Sequence, residues 1–124
     1  MIQIDKKNNT ELLEQSVQHL QQKGFENIKA DLDGYETPKS YRRKGSDLVI
    51  TPDITAQRDG RKHFFEVSVK SEKPTLLKTK WRFLDVMTNL KDHRFKIITA
   101  RGHYSFTRQM LDELNLEKKL IKLN

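Results

Sequence analysis

Apolar residues recur along the chain with two different periods. Leu13, Val17 and Leu20 stand at helical spacing, Leu12 widens their stripe, and together they predict a helix over 9–23. Asn8 or Asn9 suits its N-cap and Gly24 its stop, which leaves residues 1–8 as a polar lead-in. Over 25–32 the pattern shortens to two, with Ile28, Ala30 and Leu32 alternating against charged residues as in a half-buried strand. A second helix is expected over 75–90, where Leu76, Leu77, Trp81, Leu84, Val86, Met87 and Leu90 form a broad apolar face. The run 95–100 (FKIITA) reads as a buried strand. A third helix follows over 106–114, striped by Met110, Leu111 and Leu114, and 118–123 suits an edge strand or a helical tail. No repeat or low-complexity segment interrupts this order.

Two strand-like runs, 47–57 and 61–70, flank Asp59-Gly60. That dipeptide suits a type I′ turn, whose two central residues both need positive φ. With Asp59 and Gly60 as the loop, Arg58 pairs with Arg61. Counting outward, Asp53 falls directly opposite Glu66, their Cβ atoms about 5 Å apart. Alternation then gathers Ile50, Pro52, Ile54 and Ala56 with Phe65, Val67 and Val69 on a core face. His63 lies on that face near the turn and is expected half-exposed. The Asp53 face carries Val49, Thr51, Glu66, Ser68 and Lys70. A slip of one residue would bury the charges, so the apolar pattern supports the register that the turn sets.

Composition narrows the class. A chain of 124 residues suits one domain. With no cysteine, disulfides and thiolate zinc sites are excluded. No run approaches the roughly 20 apolar residues of a membrane span, and the polar start lacks a signal-peptide core, so a cytoplasmic protein without membrane contact is expected. The net charge of +7 is uneven. Residues 1–37 carry 4 Lys/Arg against 7 Asp/Glu, whereas residues 38–124 carry 20 against 10. A basic two-thirds suits a polyanion such as nucleic acid, and equally a lysine-rich solubilising surface.

Opposed carboxylates repel on a plain sheet, and either a divalent cation or a lysine between them relieves the conflict. Oxygen ligands favour Mg²⁺, Mn²⁺ or Ca²⁺ over zinc. In the polar loop 33–46, Lys39, Arg42, Arg43 and Lys44 are interleaved with Tyr41 and could hold phosphates while the ring stacks on a base. Arg101-Gly102-His103-Tyr104 leads from a strand into a helix, a place where main-chain amides can meet an anion. Trp81 reads as core. No Ser-His-Asp order, P-loop, GxGxxG or zinc spacing is present.

Pro52-Asp53, twelve residues, then Glu66 on the second strand of a hairpin resembles the PD-(D/E)XK nuclease superfamily, as does the order helix, strand, hairpin, helix, strand, helix. The resemblance implies an α/β restriction-endonuclease-like fold, a central mixed β-sheet with a β-hairpin core flanked by helices on both faces. It implies a nuclease acting on DNA, with Asp53 and Glu66 holding Mg²⁺ or Mn²⁺. Relatives of this type often work as homodimers. The superfamily's lysine follows the glutamate by two residues, where this chain has Ser68. Three readings follow. Lys70, one step along the same face, serves as the third catalytic member; or Lys78 or Lys80 swings in from the second helix; or the lysine function is lost and the domain holds nucleic acid without cutting it. Ser68, Lys78 and Lys80 join the loop cations as candidate nucleic-acid contacts. Glu11 or Glu14 could add an acid, although charges in a first helical turn commonly serve the helix dipole. A protein-interaction domain with an incidental acidic pair is the alternative from another class.

Overall fold

The computed structural model describes residues 6–116 and 119–123. The chain runs α1 (Lys6–Gln22), β1 (Glu26–Ala30), β2 (Tyr41–Arg42), β3 (Val49–Ile50), β4 (Ile54–Arg58), β5 (Arg61–Val67), α2 (Pro74–Leu90), β6 (Arg94–Ala100), α3 (Tyr104–Leu114) and β7 (Leu120–Leu123). Five strands form a mixed sheet in the order β1-β4-β5-β6-β7. The β1–β4 and β4–β5 pairs are antiparallel, and β5–β6 and β6–β7 are parallel. The class is α/β, with helices on both faces of the sheet. On one face α1 buries Leu12, Leu13, Val17 and Leu20 against Ile54, Phe65, Val67 and Ile98. On the other, Leu77, Trp81 and Leu84 of α2 and Met110 and Leu111 of α3 close over Phe64, Phe95 and Ile97.

The turn behaves as its sequence requires. Asp59 and Gly60 have φ of 54° and 73°, and the ladder pairs Arg58 with Arg61, Ala56 with His63 and Ile54 with Phe65. Gly24 (φ 85°) ends α1 as expected, and the Phe25 N–H donates back to the Leu20 carbonyl at 3.0 Å.

Several expectations are corrected. The helix already includes Lys6, which places Asn8 and Asn9 inside it and not at its cap. The strand expected over 47–57 is broken, because Pro52 has no N–H for a ladder and the chain bends at 51–53. β3 leaves the main sheet to pair with β2, Tyr41 opposite Ile50. Ile50 therefore packs in the α2 cluster and not beside Ile54, and the polar loop over 33–46 contains an ordered ribbon. His63 is buried, not half-exposed, with its ring 4.9 Å from Phe25 and stacked over Phe65. Burial, together with the neighbouring Arg58, Lys96 and Arg61, holds its pKa below the usual histidine value. The apolar face of α2 is narrower than its composition suggests: Leu76, Val86 and Leu90 are 42%, 53% and 83% exposed. Residues 120–123 form an edge strand, and Lys118 lies outside the described residues. Among the described residues, no helix is long and apolar enough to cross a membrane.

Candidate functional site

Asp53 precedes β4 and Glu66 is the penultimate residue of β5, so both stand at the open end of the hairpin. There, side chains take over from the ladder. The Asp53 N–H donates to Glu66 Oε2 at 2.8 Å, and the Val67 N–H donates to Asp53 Oδ2 at 2.8 Å. Each carboxylate thus has one oxygen fixed by a main-chain amide. The other two oxygens face the ammonium of Lys80, which lies 2.8 Å from Glu66 Oε1 and 3.4 Å from Asp53 Oδ1. The cluster is nearly dry: Glu66 is fully buried, and the side chains of Lys80 and Asp53 are 5% and 15% exposed. Despite its closeness to Lys80, Glu66 Oε1 has no donor aligned with it in hydrogen-bond geometry.

The electrostatics follow from this placement. One ammonium faces two carboxylates, which leaves a negative charge uncompensated when all three are ionised. Burial pushes the Glu66 carboxyl up, the Asp53 charge pushes it further, and Lys80 only partly offsets them, so its pKa is pushed up to about 8. For Lys80, burial acts against the charge, but Asp53 and Glu66 outweigh it and hold the ammonium above the usual lysine value. Lys80 therefore keeps its proton.

Lys80 reaches this position because it belongs to the buried stripe of α2. It lies three residues after Leu77 and four before Leu84, both core residues. A lysine is rarely buried unless paired, so a lysine in an apolar helical stripe is the signal in the sequence that marks it. The sequence offers Lys80 only as one of several alternatives.

Ser68 is fully buried and cannot meet a ligand at the surface. Its hydroxyl pairs with Thr107 Oγ1 at 2.7 Å, and Thr99 Oγ1 donates to its carbonyl at 3.1 Å. The place where the resemblance expects a lysine is thus filled by a hydroxyl cluster that ties β5 to β6 and α3. Lys70 is exposed; its main-chain N–H donates to His103 Nδ1 at 3.0 Å, and among the described residues no contact joins its ammonium to either acid. Lys78 is paired with Glu113 of α3. Lys39, Arg42, Arg43 and Lys44 are exposed. The Lys39 and Lys91 ammoniums stand 5.7 and 5.9 Å from the Tyr41 ring, and Lys62 lies 3.4 Å from its hydroxyl. Glu11 and Glu14 are exposed on α1, which packs on the opposite face of the sheet from Lys80. Among the described residues, no group of three or more His, Cys, Asp or Glu is arranged to hold a metal.

Glu66 Oε1 and Asp53 Oδ1 converge on the Lys80 ammonium, Glu66 Oε1 lacks an aligned donor, and the cluster is negative once Glu66 is ionised. Magnesium needs only one or two carboxylates when water and substrate phosphate complete its shell. Carboxylate oxygens are the donor type that Mg²⁺ or Mn²⁺ takes, and Asp53 is the more solvent-facing of the two acids. No protein-family model matches this chain, and no curated protein is significantly similar to it.

Proposed function

We propose that this chain is a divalent-metal-dependent nuclease of the PD-(D/E)XK type, cutting DNA phosphodiesters with Asp53, Glu66 and a lysine relocated to Lys80. The observation that carries this reading is the convergence of the two acids and one ammonium at a single buried point at the end of the hairpin. The restriction-endonuclease-like description of the sheet belongs to the same proposal, supported by the hairpin at its centre and the helices on both its faces.

Asp53 and Glu66 would hold Mg²⁺ or Mn²⁺, which when bound supplies positive charge to the scissile phosphate and acidifies a water molecule. The Asp53 and Val67 amides fix the two carboxylates so that little reorganisation is needed. Lys80 remains protonated and offers its ammonium to the charge that develops on the phosphate oxygens. It does not act as a general base in this arrangement. Ser68 takes no part in the chemistry; it ties the end of β5 to β6 and α3.

A second reading has its own support. Lys80 stands between the acids and partly offsets their repulsion, as a purely structural ion pair would. A plasmid-nicking assay with Mg²⁺ or Mn²⁺ separates the two. Wild type nicks DNA under the nuclease reading, Asp53→Asn does not, and Lys80→Met falls by about 10²–10³ in rate, the scale of losing one charge-stabilising donor. Wild type that never nicks DNA in either metal contradicts it.

A further inference from the structure

We infer that Arg101, Arg108 and Lys122, gathered around Tyr104, form a phosphate-binding subsite for a flanking phosphodiester of the nucleic-acid strand; the identity of that ligand rests on the proposed function. β6 and β7 run parallel and end together, Ala100 opposite Leu123. A cleft of about 460 Å³ opens at that end, lined by Ala100, Arg101, Tyr104, Lys122 and Leu123.

The cleft stands in register with the acid site. Glu66 pairs with Ile97 and Thr99 pairs with Lys122, and Thr99 bonds to Ser68 and Thr107 on the α3 side. Lys122 therefore stands on the same sheet face as Glu66. The offset is two residues along β6, about 6.6 Å of strand rise, with β6 lying between the two strands.

The cations there lack acidic partners. Arg108 donates to the Tyr104 hydroxyl at 2.6 Å, and the Lys122 ammonium is 4.4 Å from the Tyr104 ring. Among the described residues, Arg101, Arg108 and Lys122 form no ion pair with a carboxylate. Lys29, Arg61, Lys78 and Lys119 each have one. Asp112, one turn beyond Arg108, is the only acid among the described residues whose charge bears on the guanidinium. Hydrogen bonds from Lys122 and Arg108 hold the Tyr104 hydroxyl below the usual tyrosine value, as a field of positive charge should. Two cations line the cleft and a third, Arg108, is bonded to the tyrosine in its wall, a set that suits a ligand with several charged oxygens. An arginine fork and a lysine point charge are the usual partners of phosphate.

The test measures binding of a short fluorescent DNA oligonucleotide across a salt series. It compares wild type, the double variant Arg108→Gln/Lys122→Gln, and Lys23→Gln at the end of α1 as a control. Inorganic phosphate is titrated separately by amide NMR. The subsite predicts phosphate-induced shifts at Arg101, Tyr104 and Lys122, and a salt slope lower by about one for each cation replaced, in the double variant only. DNA binding with an unchanged slope in the double variant overturns it. So does phosphate binding without DNA binding, or the absence of both. Mn²⁺ binding at Asp53 and Glu66 stays at the wild-type level in the double variant, so failure of the subsite and failure of the metal site are read separately.

Discussion

The Lys80 ammonium lies 2.8 Å from a glutamate, Glu66, that is fully buried. Removing either partner leaves the other charge in the protein interior. Lys80→Met should therefore destabilise the fold by about 3–5 kcal/mol, the usual cost of breaking a buried pair from one side. The loss should be larger at pH 9 than at pH 5, because a protonated Glu66 no longer needs the ammonium. Urea denaturation at the two pH values checks this.

Glu66 also gives the metal-free protein a pH dependence of known sign. Its folded carboxyl keeps its proton up to about 8, against an ordinary value of 4.5. Between these values the folded state binds more protons than the unfolded state, so stability falls as pH rises. The contribution is complete below about 4.5 and gone above about 8. In a thermal-melt series over this range, Glu66→Gln should flatten the slope. A Glu66→Gln variant whose slope is the same as that of wild type would disprove the assignment.

Installing the missing motif lysine should not help. Ser68→Lys would force an ammonium among Thr99 and Thr107, a position with hydroxyl partners and no carboxylate contact. The expected result is a loss of several kcal/mol with no gain in cleavage. Ser68→Ala should cost only about 1 kcal/mol and leave Mn²⁺ affinity unchanged. Melting temperature and calorimetry on the two variants distinguish these effects.

The hairpin turn is equally open to test. Gly60 has φ of 73°, and a Cβ there would meet no atom within 4 Å, so substitution costs backbone strain alone. Gly60→Ala should lose about 1–2 kcal/mol without moving the Ile54–Phe65 register. A change in metal affinity in that variant would show that the register depends on more than the turn.

Much of this geometry is legible in the residues. Asp59-Gly60 sets the register, and Ile54, Phe65 and Val67 set the face, so the meeting of Asp53 and Glu66 follows from counting outward along the two strands. Alternation misplaces Ile50 because it assumes an unbroken strand, whereas Pro52 ends one and lets β3 join β2. Lys80 is only half legible. Helical spacing puts it in the buried stripe of α2, but which strand residues that stripe meets depends on how α2 packs on the sheet. Leu76, Val86 and Leu90 show the converse: apolar identity alone does not say which part of a broad stripe finds a partner.

The most direct test of the central claim is calorimetric titration of Mn²⁺ into wild type and Glu66→Gln at pH 8. One site in wild type, weakened by more than about tenfold in the variant, is the predicted result, because the loss of a ligand should exceed that of an outer-shell partner. Equal binding in the two proteins, or no Mn²⁺ binding by wild type, would contradict it and leave Asp53, Glu66 and Lys80 as a structural ion pair.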